Sequence, residues 1–144
     1  LLFIANPNNP TGTMVGQEAL DSFMARVPEH VVVCFDEAYH EFLDDAPDVL
    51  KYVREGRNVV VLRTFSKIQG LANLRIGYGL AHKELIDVLQ KTRQPFNANG
   101  IAQAGALAGI LDDDHQRKTR DLTIEGREWM QKEFAICICL KVIL

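Results

Sequence analysis

A lysine set among small polar residues has the clearest chemical potential in this sequence. Lys67 follows Thr64 and Ser66, and Arg75 lies eight positions after it. A lysine amine can form a Schiff base with an aldehyde cofactor. Hydroxyl groups and a guanidinium fork can hold the phosphate of such a cofactor. A lysine in a loop is usually only a solvated surface cation, so its neighbours decide the interpretation.

Two stretches upstream supply further candidate residues. Residues 6–12 read Asn-Pro-Asn-Asn-Pro-Thr-Gly, and the apolar run 31–35 is followed by Asp36 and Tyr39. Taken alone, Asn9 is typical of a turn, Asp36 of a helix cap and Tyr39 of a half-buried aromatic residue. Their functional interpretation depends on whether the fold brings them to Lys67.

Short apolar runs alternate with helical patterns along the chain. Buried strands are predicted over 1–5, 31–35 and 59–62, and a further short strand over 76–81. Helices are predicted over 17–27, 83–91, 99–111 and 112–134, with a short helix and turns within 44–56. This alternation predicts an α/β, three-layer domain in which helices flank a mainly parallel sheet.

The predicted sheet offers a meeting place for the candidate residues. In open α/β sheets, ligands bind beyond the carboxyl ends of the strands. The loop of Asn9, the residue Asp36 and the loop of Lys67 each follow directly on a predicted strand. We therefore expect the three loops to converge.

These three motifs, in this order, resemble the large domain of the fold-type-I aminotransferases of class I and II, which depend on pyridoxal 5'-phosphate (PLP). The resemblance covers residues 1–134 and implies PLP as the cofactor. Lys67 matches the residue that forms the Schiff base and then moves the α-proton of the substrate. Asp36 matches the partner of the protonated ring nitrogen, which lets the ring act as an electron sink.

The same resemblance assigns roles to the remaining candidates. Tyr39 and Asn9 match the residues that hydrogen-bond the phenolic oxygen of the cofactor. Thr64, Ser66 and Arg75 match positions that bind its phosphate. The catalytic residues implied are Lys67, Asp36 and Tyr39.

The segment 93–103 most resembles the histidinol-phosphate aminotransferases. That subfamily moves an amino group between L-histidinol phosphate and 2-oxoglutarate in histidine biosynthesis. Threonine-phosphate decarboxylases and aromatic aminotransferases resemble the same motifs, so both stay open. A non-catalytic PLP-binding regulatory module is a further alternative. Such regulators usually carry a basic helix-turn-helix segment, which is not visible here.

Composition limits the other classes of function. The 144 residues are 47% hydrophobic and 24% charged, with a net charge of −3 and no basic block, which gives no reason to expect nucleic acid or membrane partners. The three cysteines, Cys34, Cys137 and Cys139, lack a disulfide framework or zinc-site spacing, so we expect reduced thiols and no metal. Reduced thiols favour a cytoplasmic location. The resemblance implies a homodimer that acts on a small amino donor and a 2-oxo acid.

The ends of the chain differ from the family pattern. The chain does not begin with methionine, and 135–144 is an apolar tail without the glycine-containing turn expected there. We expect residues 1–134 to be a partial PLP-binding large domain. Residues 135–144 are expected to be a divergent or truncated start of the C-terminal small domain. The isolated chain is therefore expected to be poorly soluble and inactive.

Overall fold

A four-stranded sheet organises the computed structural model, which describes residues 1–134. The predicted tail over 135–144 lies outside the described residues. The strands are β1 (Leu2–Ala5), β2 (Val33–Asp36), β3 (Val59–Thr64) and β4 (Gly77–Ala81), adjacent in that order. β1, β2 and β3 are parallel, and β4 runs antiparallel to β3. The predicted α/β fold with a mainly parallel sheet flanked by helices is confirmed.

Five α-helices accompany the sheet in the described residues: α1 (Gln17–Met24), α2 (Leu50–Arg54), α3 (Lys83–Thr92), α4 (Gly100–Leu111) and α5 (Asp113–Glu133). Short 3-10 turns, which the sequence did not predict, span His40–Phe42 and Ala72–Leu74.

The helix limits differ from the prediction at two places. α1 ends at Met24 rather than at residue 27, because the chain tightens there into turns such as the one closed by Arg26 N donating to Phe23 O. Within 44–56 only Leu50–Arg54 is α-helical. Asp48 lies just before this helix, and its carboxylate accepts from Lys51 N. By contrast, the predicted start of the last helix at residue 112 is correct to within one residue, because Asp112 caps α5 and its carboxylate accepts from His115 N at 2.9 Å.

The hydrophobic core lies between the sheet and the two helices α1 and α2. Its members are apolar residues of the two central strands and of the helical segments that cover them: Leu20, Met24, Val33, Phe35, Val49, Tyr52, Val59 and Val61. Burial of such apolar surface contributes about 25 cal/mol per Å² to stability. Cys34 is buried, as the sequence predicts. The central strands are thus fixed firmly, and with them the loops at their carboxyl ends.

Large apolar side chains remain exposed elsewhere. Phe3 on β1 is 71% exposed, and Leu107 on α4 and Trp129 on α5 are 64% and 59% exposed. Exposed apolar surface of this kind favours association or aggregation, in line with the expected poor solubility. Within residues 1–134, none of the helices combines the length and the apolar character needed to cross a membrane.

Candidate active site

The carboxyl ends of β2 and β3 frame an open cavity. Asp36, the last residue of β2, is in register with Leu62 of β3. The cavity has a volume of about 500 Å³, which is within the usual range for small-molecule sites. Its lining residues are Asp36, Ala38, Leu62, Arg63, Thr64, Ser66, Lys67, Ala72 and Arg75. Five of the seven residues predicted from the sequence therefore surround one space, where ligands bind in open α/β sheets.

The loop after β3 presents Lys67 to this space. Lys67 is exposed, whereas Phe65 and Ile68 on either side are buried. Gly70 N donates to Lys67 O at 2.9 Å. Gly70 has a positive φ of 70°, which glycine adopts without strain. The loop is thus anchored by its apolar residues, and the lysine amine stays available.

Hydroxyl and guanidinium groups gather beside the lysine. Thr64 Oγ1 accepts from Ser66 N at 3.0 Å, and Arg75 Nη1 donates to Ser66 Oγ at 3.4 Å and to Ala72 O at 2.7 Å. Arg75 has left-handed backbone angles, with φ 52° and ψ 53°. Such angles strain a non-glycine residue and concentrate at functional sites. The cluster of Thr64, Ser66 and Arg75 has the donors that a phosphate requires.

Asp36 provides the acidic group of the cavity. Its carboxylate is exposed, and Oδ1 accepts from Ala38 N at 3.0 Å. This hydrogen bond orients the carboxylate at the end of β2. A carboxylate in that place can pair with a protonated ring nitrogen of a bound molecule.

Tyr39 and Asn9 lie next to the cavity without lining it. Asn9 Nδ2 donates to Tyr39 Oη at 2.8 Å across 30 residues of sequence. The ring centre of Tyr39 is 5.0 Å from Lys67 Nζ. The structure therefore brings all three predicted motifs together, the loop after β1 included.

The loop after β1 is held by a residue whose role the sequence did not reveal. The buried amide of Asn6 donates to Val15 O at 2.9 Å and accepts from Val15 N at 2.8 Å. Asn6 N also donates to Asp36 O at 3.0 Å. Asn6 thus closes the loop on itself and ties it to β2, which places Asn9 beside Tyr39.

An ion pair between the buried Glu37 and the half-buried Arg63 was also not predicted. Glu37 is 2% exposed, and its Oε2 accepts from Arg63 Nε at 2.9 Å and from Arg63 Nη2 at 2.8 Å. Burial raises the pKa of Glu37 and outweighs the opposing effect of Arg63. Burial also lowers the pKa of Arg63, but the hydrogen bonds and charge of Glu37 reverse this, so the net direction is upward. The signal available in the sequence was that each residue lies where a predicted strand ends.

His40, at the start of the turn His40–Phe42, lies against this pair. Its Nδ1 is 3.7 Å from Glu37 Oε2. Burial, followed by the charge of Arg63, lowers the pKa of His40. The neutral imidazole is therefore favoured in the folded chain.

The donor set around the cavity fits PLP chemically. An amine suits an aldehyde, a carboxylate suits a basic ring nitrogen, and hydroxyls with a guanidinium suit a phosphate. Among residues 1–134, there is no group of three His, Cys, Asp or Glu side chains that could hold a metal ion. The geometry is thus that of a candidate site for a phosphorylated aldehyde cofactor.

Comparison with known proteins agrees with this geometry. Residues 1–138 match the family described as Aminotransferase class I and II. The chain is 56% identical over 134 residues to a histidinol-phosphate aminotransferase of Akkermansia muciniphila, covering 93% of this chain and 37% of that protein. It is 50% identical over 137 residues to that of Moorella thermoacetica, covering 93% of this chain and 36% of that protein.

Solved structures give the same result. The crystal structure of histidinol-phosphate aminotransferase from Sinorhizobium meliloti in complex with pyridoxal-5'-phosphate superposes with a TM-score of 0.79 at 35% identity. The match covers 87% of this chain and 34% of that one. This chain thus spans little more than a third of the length of the curated relatives described. From the family match over nearly its whole length, the chain belongs to the class I and II aminotransferases.

Proposed function

We propose that the chain is part of a PLP-dependent aminotransferase that moves an amino group between L-histidinol phosphate and 2-oxoglutarate. The observation that carries the proposal is that Lys67 shares one cavity with Asp36, Ser66 and Arg75. The 56% identity to a histidinol-phosphate aminotransferase supports the choice of substrate. Residues 1–134 would be part of the PLP-binding large domain, and 135–144 a divergent or truncated start of the small domain.

Each side chain of the cavity has a distinct task in this proposal. Bound PLP supplies an electron sink for the carbanion formed when the substrate loses its α-proton. Lys67 would hold the aldehyde as a Schiff base, with release of water, and, once displaced by the amine of the substrate, its free amine would carry the α-proton. The Asp36 carboxylate holds the proton on the ring nitrogen, because a nearby negative charge favours the charged form of the ring.

The other predicted residues bind and orient the cofactor. Arg75 lies between the Ser66 hydroxyl and Ala72 O and can turn its guanidinium fork to phosphate oxygens. Thr64 and Ser66 supply hydroxyl donors beside it. Tyr39, already joined to Asn9, is placed so that both side chains can donate to the phenolic oxygen of PLP.

The biological setting is proposed from the same family membership. The partners would be a small amino donor and a 2-oxo acid, with no nucleic acid or membrane involved. The assembly would be a cytoplasmic homodimer. Sedimentation of the complete gene product and fractionation of cells that express it would test these two points.

An activity assay on the complete gene product that carries this chain tests the proposal. With L-histidinol phosphate and 2-oxoglutarate, we expect formation of glutamate, and the Lys67→Arg variant should abolish it. Loss of carbon dioxide from threonine phosphate would instead identify the decarboxylase alternative, and turnover of aromatic amino donors alone would identify the aromatic aminotransferase. The isolated 144-residue chain is expected to show negligible turnover.

A further inference from the structure

The partly buried Glu37–Arg63 pair lies at the carboxyl ends of β2 and β3. Glu37 immediately follows Asp36, and Arg63 immediately precedes Thr64. Both arginine donors reach the same carboxylate oxygen, at 2.9 and 2.8 Å. Hydrogen bonds between two charged groups are shorter and stronger than neutral ones, so this contact resists displacement.

Alternation along the strands turns Glu37 away from the cofactor-binding side chains, whereas Arg63 also lines the cavity. Successive side chains of a strand point to opposite faces of the sheet. Glu37 comes two residues after Phe35, and Arg63 two residues after Val61, so each shares a face of the sheet with that apolar residue. Phe35 and Val61 belong to the core cluster. Asp36 and Thr64 therefore extend from the opposite face. Arg63 therefore connects the buried Glu37 to the cavity that Asp36 and Thr64 line, at the same end of the same two strands.

The backbone strengthens this connection. Glu37 N donates to Leu62 O at 2.9 Å, which extends the pairing of β2 and β3 by one residue. Arg63 is also in register with Tyr78 of β4. The contact therefore joins the ends of adjacent strands where Asp36 and the loop of Lys67 begin.

Stability alone does not account for the pair. Two charged groups lose hydration when they are buried, and their attraction often fails to compensate. The pKa of Glu37 is raised, because the effect of burial outweighs the hydrogen bonds from Arg63. This agrees with a burial cost that the ion pair does not fully offset. An apolar pair of similar volume would satisfy the core as well. What it would lack is a directional contact that sets the distance between the two strand ends.

We propose that Glu37 and Arg63 are positioning residues for the PLP site, which set the Asp36 carboxylate at its working distance from Thr64 and Lys67. The proposal rests on the proposed PLP-dependent function. Catalytic groups displaced by as little as about 1 Å can lose about 100-fold in rate, so a small shift between the strand ends is enough to matter.

The test measures PLP binding to the complete gene product and its variants. Glu37→Gln keeps the shape of the side chain but removes its charge. We expect it to weaken PLP affinity by about tenfold and to lower kcat with little change in KM for the amino donor. The pH midpoint of the absorption change of bound PLP should also shift, because Asp36 no longer faces the ring nitrogen correctly.

Matched variants separate positioning from general stability. Glu55→Gln removes the same charge from an exposed position and should leave PLP affinity unchanged. Tyr52→Phe weakens the same core at α2 through loss of the hydroxyl bond to Asp21, and should lower the unfolding temperature without changing the pH midpoint. Arg63→Lys keeps the charge but loses the fork. Arg63→Lys replaces Glu37→Gln as the test variant if Glu37→Gln does not fold, and we expect Arg63→Lys to weaken PLP affinity as well.

Two outcomes would overturn the proposal. One is wild-type PLP affinity and an unshifted pH midpoint in both Glu37→Gln and Arg63→Lys. The other is an equal shift in Tyr52→Phe, which would make the pair merely structural. Failure of the wild-type protein itself to bind PLP at Lys67 would instead refute the proposed function, and the positioning role with it.

Discussion

The Nζ atom of Lys67 lies 5.0 Å from the centre of the Tyr39 ring, so the loops that follow β2 and β3 meet there. A cation over the face of an aromatic ring is attracted by about 0.5–1 kcal/mol at an exposed site. The contact keeps the amine at the cavity lined by Asp36 and Arg75. Lys67 is thereby held between an aromatic wall, an acid and a group suited to phosphate.

Covalent labelling should distinguish Lys67 from the other lysines. When PLP is added and the bond is fixed with borohydride, we expect the label on Lys67, because the neighbouring groups bind the phosphate and ring. Lys67→Arg should lose the label, whereas Lys91→Arg, at an exposed position on α3, should keep it. Mass spectrometry of proteolytic peptides measures both. Uniform labelling of surface lysines would contradict the assignment.

The hydrogen bond between Asn9 and Tyr39 should act as a unit in cofactor binding. Tyr39→Phe and Asn9→Ala are each expected to weaken PLP affinity, since each removes one of two donors to the same oxygen. The effects should not add, with a coupling free energy of about 1 kcal/mol in a double-mutant cycle. Fluorescence titration with PLP provides the four affinities. Strict additivity would mean that the 2.8 Å contact has no part in binding.

Arg75 should control the preference for a phosphorylated cofactor. Arg75→Gly relieves the left-handed backbone at φ 52° but removes the guanidinium. We expect unchanged or higher thermal stability, together with a loss of about tenfold or more in the preference for PLP over pyridoxal. Arg75→Lys retains a point charge, so its preference for PLP over pyridoxal should lie between those of the wild type and Arg75→Gly. An unchanged preference in Arg75→Gly would exclude Arg75 from phosphate binding.

Asp21 should make the fold sensitive to acid. Hydrogen bonds from Lys51 and then from Tyr52 and Gln17 lower the pKa of Asp21 from 3.8 to about 2. The folded chain therefore holds this carboxylate deprotonated below the pH at which the unfolded chain takes up the proton. The resulting stability is present above about pH 4 and is lost as the pH falls towards 2.

The prediction for Asp21 is tested by measuring the free energy of unfolding in urea between about pH 4 and pH 2. Asp21→Asn keeps an acceptor for Tyr52 but cannot titrate, so its stability should fall less steeply between about pH 4 and pH 2 than that of the wild type. Asp45→Asn, at an exposed position in a loop, should follow the wild-type profile. Parallel profiles for the wild type and Asp21→Asn would contradict the prediction.

Local patterns predicted most of the architecture. Continuous apolar runs identified the two central strands, β2 and β3, whose first residues are buried. β1 was also located from its apolar run, but the prediction that it is buried was wrong, because it lies at the edge of the sheet and is mostly exposed. The Asp112 cap and the periodic apolar residues located the long helices. The limits of α1 and α2 were less accurate, because tertiary turns and packing rather than helix propensity decide where such short helices end.

The buried partners were less accessible from sequence. Glu37 and Arg63 read as ordinary charged residues near strand ends, and nothing adjacent to them in the chain indicates that they bond to each other. Asn6 likewise read only as part of a loop motif, although its amide closes that loop on Val15. The Glu37–Arg63 contact depends on strand register, which brings together residues far apart in the chain, and the Asn6 contact depends on how its loop closes.

The sequence by itself determined which chemical groups are present, the order of the three motifs, and which strand precedes each motif. Those properties depend on residue type and on near neighbours along the chain. Tertiary structure decided that Lys67 faces Tyr39, that Arg75 adopts a left-handed backbone, and that Glu37 is buried against Arg63. The physical reason is that burial, register and loop closure depend on the packing of distant segments, which creates the environment that gives each group its function.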